Sequence, residues 1–220
     1  PHKTPRRQRQ MCIRDSTVPD GLLDGSSAFD IVFQAGEGVA LNIASDLDGL
    51  AVGLPSPFNK AREQSESLDI DLRISDALSI DATYSNNLSL AIAQDTEDTW
   101  RALASIGEVR PELTLDDVDA GTTVISGRLE ELDISAWADT QARVRSGGNP
   151  GLPTIVWRDF SVDRLALGET DFGAFSSTGQ YEGGLTSLGL AGDFIKAQID
   201  FDGPEAQLNI QIESLSLDSL

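Results

Sequence analysis

Residues 68–74 constrain this chain more than any other stretch does. Leu68, Ile70, Leu72 and Ile74 alternate with Asp69, Asp71 and Arg73. A period of two places the apolar set on one face of a strand and the charged set on the other. The theme recurs along most of the sequence. Phe29, Ile31 and Phe33 form the inward set of a first strand, after a Gly- and Asp-rich loop over 17–27. Gly36-Glu37-Gly38 is a tight turn, and Val39, Leu41 and Ile43 form the return. Leu50, Val52 and Leu54 read as a third strand, ended by Pro55, which cannot donate to a central ladder. A long connection over 58–67 leads to the strand at 68–74. Leu78 to Tyr84 follows, then the turn Asn86-Asn87, where asparagine tolerates positive φ, and Leu88 to Ile92.

Helical signals are few. The stretch 95–107, DTEDTWRALASIG, brings Trp100, Leu103 and Ile106 near one helical face after acidic residues suited to an N-terminus, with glycine at the stop. Ser135 is placed to cap a short helix through Ala142, with Trp137 as its buried anchor. Residues 146–153, SGGNPGLP, are the best linker in the chain. After them the alternation resumes over 155–167, 172–181, 185–192, 194–201, 208–212 and from Ser214 onward. The expected fold is therefore mainly β, an antiparallel meander making an open, curved, groove-like sheet with one or two short helices. Residues 17–145 and 154–220 are its two parts, and a β-sandwich is the structural alternative.

The first sixteen residues stand apart. They are basic, hold the only His, Met and Cys, and lack an apolar period. The run Met11-Cys12-Ile13-Arg14-Asp15-Ser16 resembles translated adapter sequence, so 1–16 reads as a non-native tail outside the fold. The whole chain has 16 Lys and Arg against 36 Asp and Glu, a net charge of −20. Without the tail the balance is 11 against 35, a net of −24, with neither Cys nor His remaining. Such acidity argues against nucleic acid, whose phosphates demand a basic patch, and against an anionic membrane face. It does keep a protein with exposed apolar surface soluble. Without cysteine there is no disulfide framework and no thiol chemistry. No apolar run approaches the ~18 residues of a membrane span.

Reactive groups do not assemble into a recognisable set. A serine nucleophile needs a positioned base, and the one histidine, His2, lies in the tail. Ser–Lys chemistry through Lys60 or Lys196 lacks an S-x-x-K run. Zinc lacks its His and Cys ligands, and no cofactor motif occurs. Asp46 with Asp48, or Asp69 with Asp71, could pair for glycoside hydrolysis or bind calcium. Asp69 and Asp71, however, occupy the wetted side of a strand, where solubility places carboxylates. Gly36-Glu37-Gly38 and Gly183-Gly184 lack the context of a phosphate cradle. Trp100, Trp137 and Trp157 read as helix anchoring and sheet packing.

The apolar alternation remains. Parity makes Phe33, Leu41, Ile43, Leu72, Ile80, Leu90, Ile199 and Ile210 one inward set. From the residues alone, a closed sandwich core accounts for it more simply than an open groove. An open groove has a physical use, because an acyl chain of about sixteen carbons stands to lose on the order of 10 kcal/mol in water, at ~0.8 kcal/mol per methylene.

A resemblance separates these readings. Asp46, Gly49, Leu50 and Ala51, then Leu54, Pro55, Pro57 and Lys60, a polar spacer and an alternating strand are similar in order to the AsmA-like family of bacterial envelope proteins, in its YhdP-type branch. The stretch 126–137, SGRLEELDISAW, resembles a second segment of that branch, with Glu131 where proline is usual. Residues 190–220 resemble its repeating strands. The resemblance implies a non-enzymatic segment of a longer periplasmic protein, anchored in the inner membrane by a part outside these residues. It implies a β-groove carrying phospholipid between inner and outer membranes, in support of the outer membrane barrier. Acyl chains would lie on the eight inward residues, and inner- and outer-membrane components would be met elsewhere in the protein. The competing reading is an extracellular β-sandwich binding or adhesion module with ligand in loops such as 146–153.

Overall fold

The computed structural model describes residues 9–11, 21–36, 38–94, 99–107, 113–144, 154–182, 185–202 and 207–216. In chain order the elements are β1 (Arg9–Met11), β2 (Leu23–Gly25), β3 (Ser27–Ala35), β4 (Val39–Ser45), β5 (Leu50–Val52), β6 (Leu68–Ile74), β7 (Leu78–Tyr84), β8 (Leu88–Gln94) and β9 (Trp100–Gly107). There follow β10 (Thr122–Asp133), α1 (Ile134–Val144), β11 (Thr154–Leu167), β12 (Thr170–Asp171), β13 (Phe175–Tyr181), β14 (Leu185–Gly192), β15 (Ile195–Asp202) and β16 (Gln207–Leu215). Fourteen of these strands form one open sheet that runs from β1 to β16 almost in chain order. Only β2 and β5 pair separately. Two large sheets packed face to face are not present among the described residues, so the sandwich alternative falls.

Hairpin chemistry explains most of this order. Strands β3, β4, β6, β7, β8 and β9 are antiparallel neighbours in that order, and all but β4 and β6 follow one another directly in the chain. In the β7–β8 turn the positive φ belongs to Ser85 rather than to either asparagine. The centre departs from a pure meander, because β10 runs parallel to both β9 and β11. Parallel neighbours need a crossover rather than a hairpin. The first brings Leu113, Leu115 and Val118 onto Leu103, Val124 and Val156 and makes one buried cluster there. Within it Thr114 donates through N and Oγ1 to Asp117, which holds that carboxyl below its ordinary range. The second crossover contains α1. A second cluster, of Leu129, Val162 and Leu165 with Phe160 and Phe175, lies towards the far ends of β10 and β11.

Several expectations are corrected. Residues 100–107 are strand, not helix: a segment this short fits both periods, and pairing with β8 on one side and β10 on the other overrides its helical propensity. Residues 50–54 do not join the main sheet. β5 turns aside to pair with β2, inside what reads as a loop in the sequence, and β6 takes its place beside β4. The stretches at 208–212 and from Ser214 form one strand, β16, with a bulge against Lys196 and Ala197. α1 is capped by Asp133, whose Oδ1 accepts from Ser135 N at 2.8 Å and Ala136 N at 3.3 Å. Ser135 Oγ instead accepts from Gly168 N at 3.1 Å. Arg9–Met11, in the segment read as a tail, pairs with Ser27–Phe29 of β3. The linker at 146–153 and Gly183-Gly184 lie outside the described residues.

Candidate functional site, an apolar sheet face

Residues directly opposite one another in adjacent strands share a face. The register therefore traces which side chains stand together. One row begins Ile31, Ile43, Ile70, Ala82, Leu90 and Ala104. It continues through Ile125, Trp157, Gly179, Leu188, Ile199 and Ile210. The row crosses twelve strands without a charged or hydrogen-bonding side chain other than the indole of Trp157. At ~4.8 Å per strand it is on the order of 50 Å long. A parallel row, two residues along each strand, runs Phe33, Leu41, Leu72, Ile80, Ile92 and Ala102, then Thr123, Ile155 and Tyr181. All eight inward residues of the sequence reading fall in these two rows, four in each.

The face is not sealed by the chain's own described side chains. Phe33 is 57% exposed and Ile210 49%. Leu41, Ile43, Leu72, Ile80, Leu90 and Ile199 are half-buried, and none of the eight is fully buried. The opposite face is wet on both sides of the centre. It carries Asp69, Asp71, Asp81 and Arg73 on β6 and β7, and Gln198, Asp200, Asn209 and Gln211 on β15 and β16. Asp71 accepts from Asn42 Nδ2 at 3.2 Å, and Arg73 lies 3.4 Å from Asp81. Lys196 pairs with Glu213 on β16. Asp46 and Asp48 are exposed beyond the end of β4. The carboxylates singled out in the sequence thus decorate a solvated surface and stay off the apolar rows. At the end of β7, Tyr84 has its phenol pushed up by burial and by Glu66, which keeps it neutral.

Trp157 sets the relief of the face. A Cβ on Gly179 would stand 2.2 Å from the indole Cζ2, so the ring lies over the next strand. The glycine is what allows the large ring to lie low on the sheet.

Most of the first family-like motif lies outside the main sheet. In residues 46–66, between β4 and β6, Leu47, Leu50 and Phe58 are buried. Lys60, 2% exposed, donates from Nζ to Leu50 O at 2.7 Å and Ala61 O at 3.2 Å, while its backbone bridges Val52 in both directions. Lys60→Met keeps the aliphatic stem and removes the ammonium that these carbonyls use. Bonds to charged groups are worth ~1.5–3 kcal/mol each, less the relief of a buried charge. The variant is therefore expected to lower the thermal midpoint by roughly 3–8 °C in a circular-dichroism melt. An unchanged midpoint would show that Lys60 is not held in this way.

Beside this segment, a cavity of about 770 Å³ lies between Ser56, Pro57, Asn86 and Asn87 on one side and the Arg128–Asp163 and Arg164–Glu131 ion pairs on the other. Glu131 thus has a partner in Arg164.

Among the described residues, no helix is long and apolar enough to cross a membrane. Residues 19–219 match the family model described as YhdP protein. Nothing matches among curated proteins or among solved structures.

Proposed function

The chain belongs to the YhdP family of AsmA-like bacterial envelope proteins, and from that premise we propose that its apolar sheet face carries phospholipid acyl chains between the inner and outer membranes. The observation that supports this most is the uncharged row from Ile31 to Ile210, continuous over twelve strands and unroofed by described side chains. A hydrocarbon chain spans about half of a ~30 Å bilayer core. The row is long enough for several such chains end to end. Each methylene laid on it escapes water at ~0.8 kcal/mol. The acidic opposite face keeps the protein soluble in the periplasm while the apolar face is in use. No step in this role needs a reactive group. The sheet binds and releases hydrocarbon, and the direction of movement comes from partners at the two membranes.

The test is lipid content. The 220-residue chain, purified from bacterial envelopes without detergent and extracted for mass spectrometry, is expected to carry phospholipid in near-stoichiometric amount. A chain recovered folded but free of lipid, and unable to take it up from phosphatidylethanolamine vesicles, would defeat the proposal.

A further inference from the structure

We infer that residues 46–66 are a strap that braces the sheet, fixing the angle between its first half, β3–β9, and its second, β10–β16. The inference does not depend on what occupies the apolar face. It rests on a chain of ties along one end of the sheet. Glu66 N donates to Asp46 O at 2.8 Å and closes the strap on itself. Ser85 N donates to Ser67 O at 2.7 Å, and Ser85 Oγ bonds Glu66, which fastens the strap to the end of β7. Asn87 Nδ2 donates to Pro57 O at 3.2 Å, and Gly107 N donates to Asn87 O at 2.7 Å. The middle of the strap is thereby joined to the β7–β8 turn and to the end of β9. Next to Pro57, Phe58 meets Trp137 of α1 edge to face, with ring centroids 5.9 Å apart. Through Gly168 N and Ser135 Oγ, α1 is in turn tied to the end of β11.

The place where this strap lies gives it a mechanical role. β9 stops at Gly107, whereas β10 runs on to Asp133 and β11 to Leu167. Among the described residues, the ladder between β9 and β10 spans Ala102–Gly107 against Thr123–Arg128. Adjacent strands twist by roughly 20–25° and that angle is soft. A second attachment, offset from the ladder, converts a hinge into a brace. The 770 Å³ cavity is the space that the brace spans, bounded by Ser56 and Pro57 on the strap side and by Arg128 to Glu131 on the β10 side. The latch is also built to release. Trp137 Nε1 is buried with no acceptor among the described residues, and a buried donor left so weakens the closed state. Opening the latch leaves both sheet halves intact and changes only the angle between them.

The test measures that angle. In a Cys12→Ser background, spin labels at Thr83→Cys on β7 and Thr178→Cys on β13 report across the junction from exposed positions. Electron–electron double resonance is expected to give one narrow distance distribution for the parent. Trp137→Ala should roughly double its width, a signature of local release without global unfolding. Trp137→Phe, which keeps a ring and removes the buried N–H, should stay narrow. A Trp137→Ala distribution as narrow as the parent's, with unchanged circular dichroism, overturns the inference. If Trp137→Ala does not fold, Asn87→Ala cuts the middle tie instead. Broadening there supports the brace, and an unaltered distribution rejects it.

Discussion

Placing aspartate at both Leu72 and Ile80 is expected to strip phospholipid from the chain at least tenfold while leaving the sheet folded. The two residues are direct cross-strand partners on β6 and β7, flanked in the same row by Leu41 and Ile92. Removing each apolar side chain forfeits about 1.5–3 kcal/mol of hydrocarbon contact, and 1.4 kcal/mol already amounts to a factor of ten. The two new carboxylates repel each other across the ladder, at a cost near the ~1 kcal/mol ceiling for such pairs. Both sites are half-exposed, so the charges keep water and the fold survives. The readouts are phospholipid per chain by mass spectrometry and far-ultraviolet circular dichroism on the same sample. Asp69→Asn, on the opposite face of β6, serves as the control and should leave lipid loading unchanged. If the double variant unfolds, the rows are a sealed core. If it stays folded and fully loaded, lipid lies elsewhere.

This contrast between faces is also what made part of the fold legible in the sequence. β6, β7 and β14 coincide residue for residue with the expected strands. In β6 and β7 one side is wet, and polar residues at every second position announce it. Within each hairpin, parity keeps the inward residues on one face, and the register then carries that face across the strap between β4 and β6 and the parallel strands at the centre. The centre was not legible for the same reason turned round. β9, β10 and β11 are covered on one face by Leu113, Leu115 and Val118, so Leu103, Val124 and Val156 are apolar there while Ala104, Ile125 and Trp157 are apolar on the other. Strands apolar on both faces lose alternation, which is why 100–107 reads as helical and 122–133 carries no strand signal of its own. The strap was visible only as a motif. Nothing local in Leu54, Pro55, Pro57 and Lys60 tells that Phe58 reaches Trp137, since that contact depends on β4, β6 and β10 first taking their places in the sheet.

Gly127→Ala is expected to be among the most damaging single changes available to this chain, lowering stability by ~4 kcal/mol or more. Gly127 sits in β10 at a register shift against β11, with φ at +138°, a region that L side chains rarely adopt. A methyl group there would lie 1.9 Å from Ile106 O and 2.8 Å from Ile106 C. Both are backbone atoms of β9, which cannot swing aside as a side chain does. Either β9 withdraws and the β9–β10 ladder breaks, or β10 shifts and Leu129 leaves the cluster it forms with Val162 and Leu165. Gly168→Ala supplies the comparison. It too has positive φ, +62°, but a Cβ there meets nothing within 4 Å, so only the backbone penalty of about 1–2 kcal/mol applies. Urea unfolding of both variants separates the terms. Against a total stability of about 5–15 kcal/mol for a folded domain, Gly127→Ala should lose most of its transition and Gly168→Ala should shift only its midpoint. Equal midpoints would mean that β10 does not approach Ile106 in this register. The junction between the two halves of the apolar face would then have to be redrawn, because Gly127 pairs with Ile106 in the same ladder that carries the rows across at Ala104–Ile125 and Ala102–Thr123.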